Sequence, residues 1–355
     1  MAKIAAVINA KNGVSYHRIE IPMGNLGTHK KDLHITVCNT FTEDFPPEQF
    51  DIIIVNRVSS QPRDYISEAK RAGVKIILDL DDWVYLPEYN SNHNGFYTPE
   101  IELRVVEYIK LADVIWCASE YLMYQIVNTF DVPVDRIHYI PNAIDFTQPQ
   151  FQPQKQPLER YTIGWIGGAG HQYDIEKLGK PLENLLSQKN YNILLGGYSR
   201  SDINTEKYWM YIKYVLTSGN QLPNDHFKII EALDAYNYAY MYNYIDLAVV
   251  PLCNDMFSKC KSSIKVLEAG AFGVPVICSN EEPYKEFIRQ GLVYSSEGAW
   301  DKRIKELIKN PKKGVRMGAA LQQYVKENYN IDKINELRYN TIVQLMGKRR
   351  VHGVR

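Results

Sequence analysis

Short runs of apolar residues alternate along the whole chain with amphipathic stretches of helical spacing. A strand that is buried on both faces reads as a continuous apolar run, which is typical of parallel sheets covered by helices. In the first half of the chain, such runs predict strands over residues 3–9, 33–37, 51–56, 74–78 and 112–117. Amphipathic spacing predicts helices over residues 60–72, 97–111 and 119–130. This alternation predicts a doubly wound parallel α/β sheet.

The second half repeats the pattern after a segment rich in Gln and Pro at residues 148–157. A strand is predicted to open the segment 161–171, and further strands are predicted over residues 192–198, 226–230, 246–252 and 274–278. Helices are predicted over residues 174–186, 262–272, 300–309, 313–327 and 331–346. Residues 236–244 alternate aromatic side chains with a period of two, but their place between two strands favours a helix.

Length and charge narrow the class of protein. At 355 residues the chain is long enough for two domains, each with its own core. We expect a first domain over residues 1–147, a linker over 148–158, a second domain over 159–330, and a returning helix with a basic tail over 331–355. The 41 basic and 41 acidic residues balance, so no overall charge points to nucleic acid.

Cysteine use and hydropathy indicate a cytoplasmic protein. The five cysteines have no metal-like spacing, so reduced structural thiols are expected. The amino-terminal segment reads as a strand rather than a signal peptide, and no apolar run approaches the ~20 residues of a membrane span.

The most informative stretch covers residues 246–284, which are predicted to form strand, loop, helix, strand and loop in that order. The predicted helix begins beside Lys261, Ser262 and Ser263. Free backbone N–H groups, hydroxyls and an ammonium group at a helix start favour a bound phosphate. Lys265 lies four residues after Lys261, and Glu268 lies three residues after Lys265, so this spacing places the three residues on one helix face. Glu268 is therefore expected to reach a hydroxyl group beside that phosphate.

These residues carry a family resemblance. The segment KSSIKVLEAGAFGVPVICS, after a strand ending in Pro-Leu, resembles the donor-binding segment of the family-4-like retaining glycosyltransferases, or glycosyl transferases group 1. The resemblance implies the GT-B fold: two Rossmann-like domains that face each other across a cleft, with a carboxy-terminal helix crossing back to the first. It also implies that Glu268 holds the ribose of a nucleotide sugar and that the helix start holds the diphosphate. The usual first Glu of the family motif is replaced by Cys260.

A second segment, Pro141-Asn142-Ala143-Ile144-Asp145, resembles the one that closes the first domain in this family, with Ala143 in place of the usual Gly.

Glycines after predicted strands supply further candidate ligand contacts. Gly167 and Gly168 form, with a strand before and a helix after, a cradle for an anion. His171 follows them and either donates to a phosphate or caps the helix. Gly196, at the end of another strand, allows a base or ribose to lie on the backbone. Gly13, after the first strand, marks either a ligand approach or a plain tight turn. The resemblance places His17 and Arg18 of that loop in the cleft.

Three carboxylates, Asp79, Asp81 and Asp82, are predicted directly after the strand 74–78. Ligands of α/β sheets bind at such strand ends. The cluster fits a divalent metal site, a polar edge where one Asp contacts sugar hydroxyls or acts as a base, or simple helix capping. In the family this position usually carries a histidine.

We therefore expect a hexosyl- or pentosyltransferase that moves a sugar from a UDP- or GDP-sugar to an acceptor hydroxyl, with retention, without a metal and without a further cofactor. The catalytic candidates are Asp81, Asp82, His17 and Glu268, and the donor's own phosphate is an alternative base. The donor-binding candidates are Gly13, Gly167, Gly168, His171, Gly196, Lys261, Ser262, Ser263, Lys265 and Glu268. The acceptor (glycan, small molecule, protein or modified DNA) and the oligomeric state stay open. The alternatives are a non-catalytic nucleotide-sugar-binding protein and a phage-type transferase acting on hydroxymethylated DNA bases.

Overall fold

A computed structural model describes residues 1–8, 10–57, 64–87, 98–186, 190–199 and 205–347. The chain divides into two compact units, each built around its own sheet. The first unit takes its residues from Met1–Asp145, Cys260–Ser262 and Tyr329–Arg355, and the second from Phe146–Lys259 and Ser263–Asn328. The predicted basic tail, residues 348–355, lies outside the described residues.

The first unit contains a six-stranded sheet in which all paired strands are parallel. Its strands are β1 (Ala2–Val7), β2 (Leu33–Cys38), β3 (Ile52–Asn56), β4 (Lys75–Leu80), β5 (Val114–Cys117) and β6 (Ile137–Tyr139). Their order is β2-β1-β3-β4-β5-β6, so the chain reverses its direction of travel across the sheet between β1 and β3. Isoleucine and valine side chains in β1, β3 and β4 are buried on both faces, as the apolar runs predict.

Helices cover this sheet. They are Gly13–Ser15, the π-helix Tyr16–Glu20, Ile21–His29, Tyr65–Arg71, Pro99–Leu111, Glu120–Phe130 and the final helix Ile331–Gly347. The final helix packs on Ile21–His29, where the Asn335 amide donates to the carbonyl of Pro22 at 3.0 Å and to Asn25 Oδ1 at 2.8 Å. The carboxy-terminal helix therefore belongs to the first unit, as expected.

The second unit contains another six-stranded parallel sheet. Its strands are β7 (Tyr161–Ile166), β8 (Tyr191–Tyr198), β9 (Phe227–Glu231), β10 (Leu247–Val250), β11 (Val276–Cys278) and β12 (Tyr294–Ser295). The order is β12-β11-β10-β7-β8-β9, which places the switch point between β7 and β10. The two parallel α/β sheets confirm the predicted fold class.

The helices of the second unit differ from prediction in several places. They are Gln172–Ile175, Gly179–Glu183, Glu206–Leu216, Met256–Cys260, Ile264–Ala271, Lys285–Arg289, Trp300–Lys309 and Pro311–Asn328, with the longest 3-10 helix at Tyr238–Tyr244. The predicted continuous helix over 174–186 is wrong, because the chain passes through a 3-10 turn at Glu176–Leu178 and restarts at Gly179, two residues before Pro181. The helix Glu206–Leu216 was not predicted.

The segment expected to be a linker is in part packed against the second unit. Gln150 and Phe151 are buried, and the Gln150 side chain donates to the carbonyl of Ala235 and accepts from the amide of Ala239, both at 3.0 Å. In the part of the chain that the structure describes, no helix is both long enough and apolar enough to cross a bilayer.

Candidate functional site

The loop after β7 lies at the switch point of the second sheet. β7 pairs with β10 on one side and β8 on the other, and the chain leaves β7 at Ile166 and continues through Gly167 and Gly168. Ligands of open α/β sheets bind outside the strand ends at such a point. Lys265 lies against this loop: its Nζ donates to the carbonyl of Ile166 at 2.8 Å, and a Cβ built on Gly167 would lie 2.9 Å from the same nitrogen. The loop and an ammonium group are thus brought together within the second unit.

Glycines at the end of β8 support this loop. The Gly167 amide donates to the carbonyl of Gly196 at 3.1 Å. Gly197 has a φ of +90°, and a Cβ there would lie 2.5 Å from the carbonyl oxygen of Gly167. A Cβ on Gly196 would lie 3.0 Å from Ile166 and Met241. The packing of the protein therefore requires glycine at positions 196 and 197. The contact of Gly196 with a nucleotide stays a prediction.

His171 and Asp174 form a hydrogen-bonded pair beside the loop. The His171 amide donates to the carbonyl of Gly168 at 3.1 Å, and its ring Nδ1 lies 2.7 Å from Asp174 Oδ2. Asp174 Oδ1 accepts from the amide of Cys253 at 2.6 Å. The carboxylate therefore ties the segment after β7 to the segment after β10. His171 is the N-cap residue of the helix Gln172–Ile175, but its side chain makes no capping hydrogen bond to that helix.

Glu268 is buried in the helix Ile264–Ala271, with 5% of its surface exposed. Its Oε2 accepts from the hydroxyl of Tyr242 at 3.2 Å, and that hydroxyl lies 3.3 Å from the carbonyl of Lys265. Burial and then the Glu268 carboxylate raise the pKa values of both Tyr238 and Tyr242 well above the usual range. Tyrosines from the 3-10 helix Tyr238–Tyr244 therefore set the environment of this carboxylate.

The start of that helix differs from the prediction. The helix begins at Ile264, with Ser263 before it, and a separate short helix precedes it at Met256–Cys260. Lys261 lies outside the helix and belongs to the first unit, so its predicted place on one helix face with Glu268 is wrong.

In the first unit, Lys261 joins an ionic cluster at the carboxyl ends of β3 and β4. Arg57 Nε lies 2.9 Å from Asp81 Oδ1, and Arg57 Nη2 lies 2.6 Å from Asp82 Oδ2. Lys261 Nζ lies 3.5 Å from the other Asp82 oxygen. Burial alone would raise the pKa of Asp81, but Arg57, together with Arg18 and Lys261, holds that pKa below its usual range. Asp81 is therefore a stable carboxylate rather than a ready proton acceptor.

Asp79 has a different role from the one expected. It lies inside β4 and is fully buried, not in a loop after the strand. Its two oxygens accept from Arg18 Nε at 3.0 Å and Arg18 Nη2 at 2.5 Å, while Arg18 Nη1 donates to the carbonyl of Ile140 at 2.7 Å. Burial and the neighbouring Arg18 lower the pKa of Arg338 to about 9. Asp79 is thus the carboxylate that compensates buried arginines in the core.

Three other predicted residues also lie in the first unit. Ser262 Oγ accepts from the Asn142 amide at 2.8 Å, and Asn142 Oδ1 accepts from Arg18 Nη1 at 3.1 Å. Gly13 opens a short helix whose cap is the side chain of Asn12, so neither the tight turn nor a positive φ is present. His17, in the π-helix, is half-buried with its ring edge-on to Tyr16 at 4.9 Å.

Among the described residues, no group of three or more His, Cys, Asp or Glu side chains is arranged to hold a metal ion. The residues that sequence reasoning missed are Arg57, Asp174 and Tyr242. Arg57 directly follows β3, and Asp174 stands three positions after His171, so strand-end position and helical spacing were available signals. Tyr242 carries no such signal, because only the packing of its 3-10 helix brings it to Glu268.

Comparisons with known proteins relate the chain to a family of glycosyltransferases. The model of the family glycosyl transferases group 1 matches residues 147–324, which is half of the chain and nearly all of the second unit. No curated protein matches the sequence significantly.

Three solved structures illustrate the likeness of the fold. Sucrose-phosphate synthase from Thermosynechococcus elongatus has a TM-score of 0.71 at 13% identity, over 98% of this chain and 100% of that one. HepE from Anabaena in complex with UDP-glucose has a TM-score of 0.69 at 13% identity, over 97% and 100%. MnaA from S. aureus in complex with UDP has a TM-score of 0.57 at 12% identity, over 98% and 97%. At these identities the likeness shows the α/β fold of GT-B glycosyltransferases.

Proposed function

Because the chain belongs to the family of glycosyl transferases group 1, we propose that it is a hexosyl- or pentosyltransferase that moves a sugar from a nucleotide-diphosphate sugar to an acceptor hydroxyl. The observation that carries the proposal is the loop of Gly167 and Gly168 after β7, here called the switch-point loop. The ammonium group of Lys265 lies next to this loop. A pre-arranged cation and backbone dipoles stabilise the charge of a departing diphosphate. The donor's ribose would bind at Glu268, whose buried carboxylate accepts hydroxyl hydrogen bonds.

We propose UDP as the nucleotide. HepE and MnaA, which share the fold, are seen with UDP-glucose and UDP respectively. A GDP-sugar is the alternative donor, and a matched titration with GDP separates the two.

The proposed chemistry retains the configuration of the sugar and uses no metal. The sugar–phosphate bond breaks with positive charge developing on the sugar, while the switch-point loop and Lys265 take up the negative charge of the diphosphate. The donor's phosphate accepts the proton of the acceptor hydroxyl. The ion pairs of Asp81 and Asp82 with Arg57 fit the binding of acceptor hydroxyls. The lowered pKa of Asp81 makes this carboxylate a weak base at neutral pH.

We also propose the cytoplasm as the site of action, since none of the five cysteines, all of them among the described residues, forms a disulfide.

A second candidate function is nucleotide-sugar binding without transfer. It is favoured by two positions where the chain departs from the family pattern. Asp79, at the usual place of a cleft histidine, is held in the core by Arg18, and Cys260, at the usual place of a glutamate, is fully buried.

Donor hydrolysis and transfer test the proposal. We would incubate the wild-type protein and the variants Glu268→Ala and Lys265→Ala with radiolabelled UDP-sugars and measure release of the free sugar. The matched control is Glu286→Ala, which removes another glutamate bound to a tyrosine in the second unit. We expect both site variants to reduce kcat/KM by roughly 100-fold or more, while the control keeps wild-type turnover. Wild-type turnover in both site variants would contradict the proposed donor site. Binding of UDP-sugar with no turnover under any condition would favour the second candidate.

A further inference from the structure

The pair of His171 and Asp174 is built more firmly than a surface ion pair. Asp174 is buried, with 8% of its side chain exposed, and it accepts one bond from the His171 ring and one from the Cys253 amide. The His171 ring is 23% exposed and packs edge-on to Trp165, with centroids 6.4 Å apart. One side of the imidazole is thus fixed while another part reaches solvent.

The chemistry of the pair fixes the tautomer. An ionised carboxylate only accepts hydrogen bonds, so Nδ1 of His171 must carry the hydrogen. Nε2 is then the ring atom whose protonation can change. Without a second anion, the imidazole beside one carboxylate has one opposite charge near it. A diphosphate bound at the switch-point loop would add a second, and opposite charges nearby favour the protonated ring.

The other groups around the ring fit this scheme. Lys265, from the helix Ile264–Ala271, directs its ammonium group to the carbonyl of Ile166 and lies 5.9 Å from the Trp165 ring centroid. Burial is the main cause that raises the pKa of Tyr284 well above its usual range, and the negative charge of Asp174 raises this pKa further. The Tyr284 hydroxyl therefore stays neutral. The Cys253 contact with Asp174 comes from a backbone amide without charge. Asp174 is therefore the carboxylate that these contacts place at the ring.

We propose that Asp174 is a positioning residue that makes His171 a proton-linked ligand of the donor diphosphate, so that each nucleotide bound takes up a proton from solvent onto His171 Nε2. The inference rests on the proposed function, because it assumes that the diphosphate binds at the switch-point loop. In this proposal Asp174 affects nucleotide affinity. A residue that only connected the segments after β7 and β10 would not be expected to do so.

Titration calorimetry of UDP in buffers of different ionisation enthalpy measures the proton uptake directly. At pH 7.5 the terminal phosphate of UDP is largely ionised, because the second pKa of such phosphates is near 6. For the wild-type protein we expect the apparent binding enthalpy to change with buffer, corresponding to an uptake of about half to one proton.

The variants Asp174→Asn and His171→Gln keep a hydrogen-bonding side chain of similar size at each position. Both are expected to bring the proton uptake close to zero and to weaken UDP binding by roughly tenfold or more. Affinity for uridine, which lacks phosphate, should stay within twofold of wild type. The matched control is Asp225→Asn, which removes an exposed carboxylate 3.7 Å from another histidine, His226, before β9. It should change neither the uptake nor the affinity.

The outcomes separate this inference from the proposed function. UDP binding without proton uptake by the wild-type protein would overturn the inference and leave the donor site standing. Equal losses for UDP and uridine in Asp174→Asn would also overturn it, because they would show a purely structural role. If the wild-type protein binds neither UDP nor GDP, both the proposed function and the inference are wrong.

Discussion

Replacing Tyr242 with Phe removes one hydroxyl group that contacts Glu268. It tests whether this contact supports the proposed binding of the ribose. The ring of Tyr242 stacks on Phe272 with centroids 5.6 Å apart, and this packing is kept in the variant. The variant loses the hydroxyl and with it the hydrogen bond to the Glu268 carboxylate and the 3.3 Å contact with the carbonyl of Lys265. The carboxylate is then less restrained where it is proposed to receive the ribose hydroxyls.

The size of the effect follows from the geometry. A hydrogen bond to a charged group contributes about 1.5–3 kcal/mol. The distance of 3.2 Å between the Tyr242 hydroxyl and Glu268 Oε2 is longer than the ~2.7–2.8 Å typical of hydroxyl donors, so the lower end applies. About 1.5 kcal/mol corresponds to roughly a tenfold change in an equilibrium constant. We therefore expect the Kd for UDP to rise about tenfold in Tyr242→Phe.

Calorimetric titration with UDP and with its 2′-deoxy analogue provides the assay. The wild-type protein should prefer UDP, and Tyr242→Phe should lose most of that preference because only UDP presents the 2′-hydroxyl to Glu268. The control Tyr324→Phe removes a hydroxyl that donates to Glu286 at 2.6 Å in the same unit, and it should leave both affinities unchanged. An equal loss of affinity for both nucleotides, or no loss for UDP, would refute the proposed link between Tyr242 and the ribose.

Two further substitutions test a buried ion pair in the first unit and a close backbone contact in the second. Asp79→Asn should reduce the free energy of unfolding by roughly 3–5 kcal/mol, because it leaves Arg18 buried without its carboxylate; a loss below about 1 kcal/mol in urea denaturation would contradict this role. Gly197→Ala should destabilise the protein by about 1–3 kcal/mol and weaken UDP binding, since alanine is strained at a φ of +90° and its Cβ would collide with the carbonyl of Gly167; unchanged melting temperature and unchanged Kd would show that the loop does not depend on this contact.

The sequence predicted the sheets better than it predicted the helices that cover them. Buried strands such as β3 and β10 are runs of Ile, Val and Leu whose burial on both faces leaves a clear local signal. The helix Glu206–Leu216 was missed because its run of large aromatic residues has no simple polar face. The break near Gly179 was missed although Pro181 stands two residues later, and proline removes a helical hydrogen bond.

The candidate site was predictable only where its residues are close in the chain. Gly167, Gly168 and Lys265 were selected from strand ends and helix starts, and the structure brings them together. The pairing of Asp79 with Arg18 joins residues 61 positions apart, so no local pattern reveals that this carboxylate belongs to the core. The assignment of Lys261 to the first unit likewise depends on its contact with Asp82, which lies 179 positions away.

The most direct test of the central claim is an experimental structure of the protein bound to UDP. The account predicts the diphosphate at the Gly167–Gly168 loop of the second unit, with Lys265 within hydrogen-bonding distance of a phosphate oxygen and the ribose hydroxyls at Glu268. A nucleotide bound instead on the first unit, at Asp81 and Asp82, would contradict it.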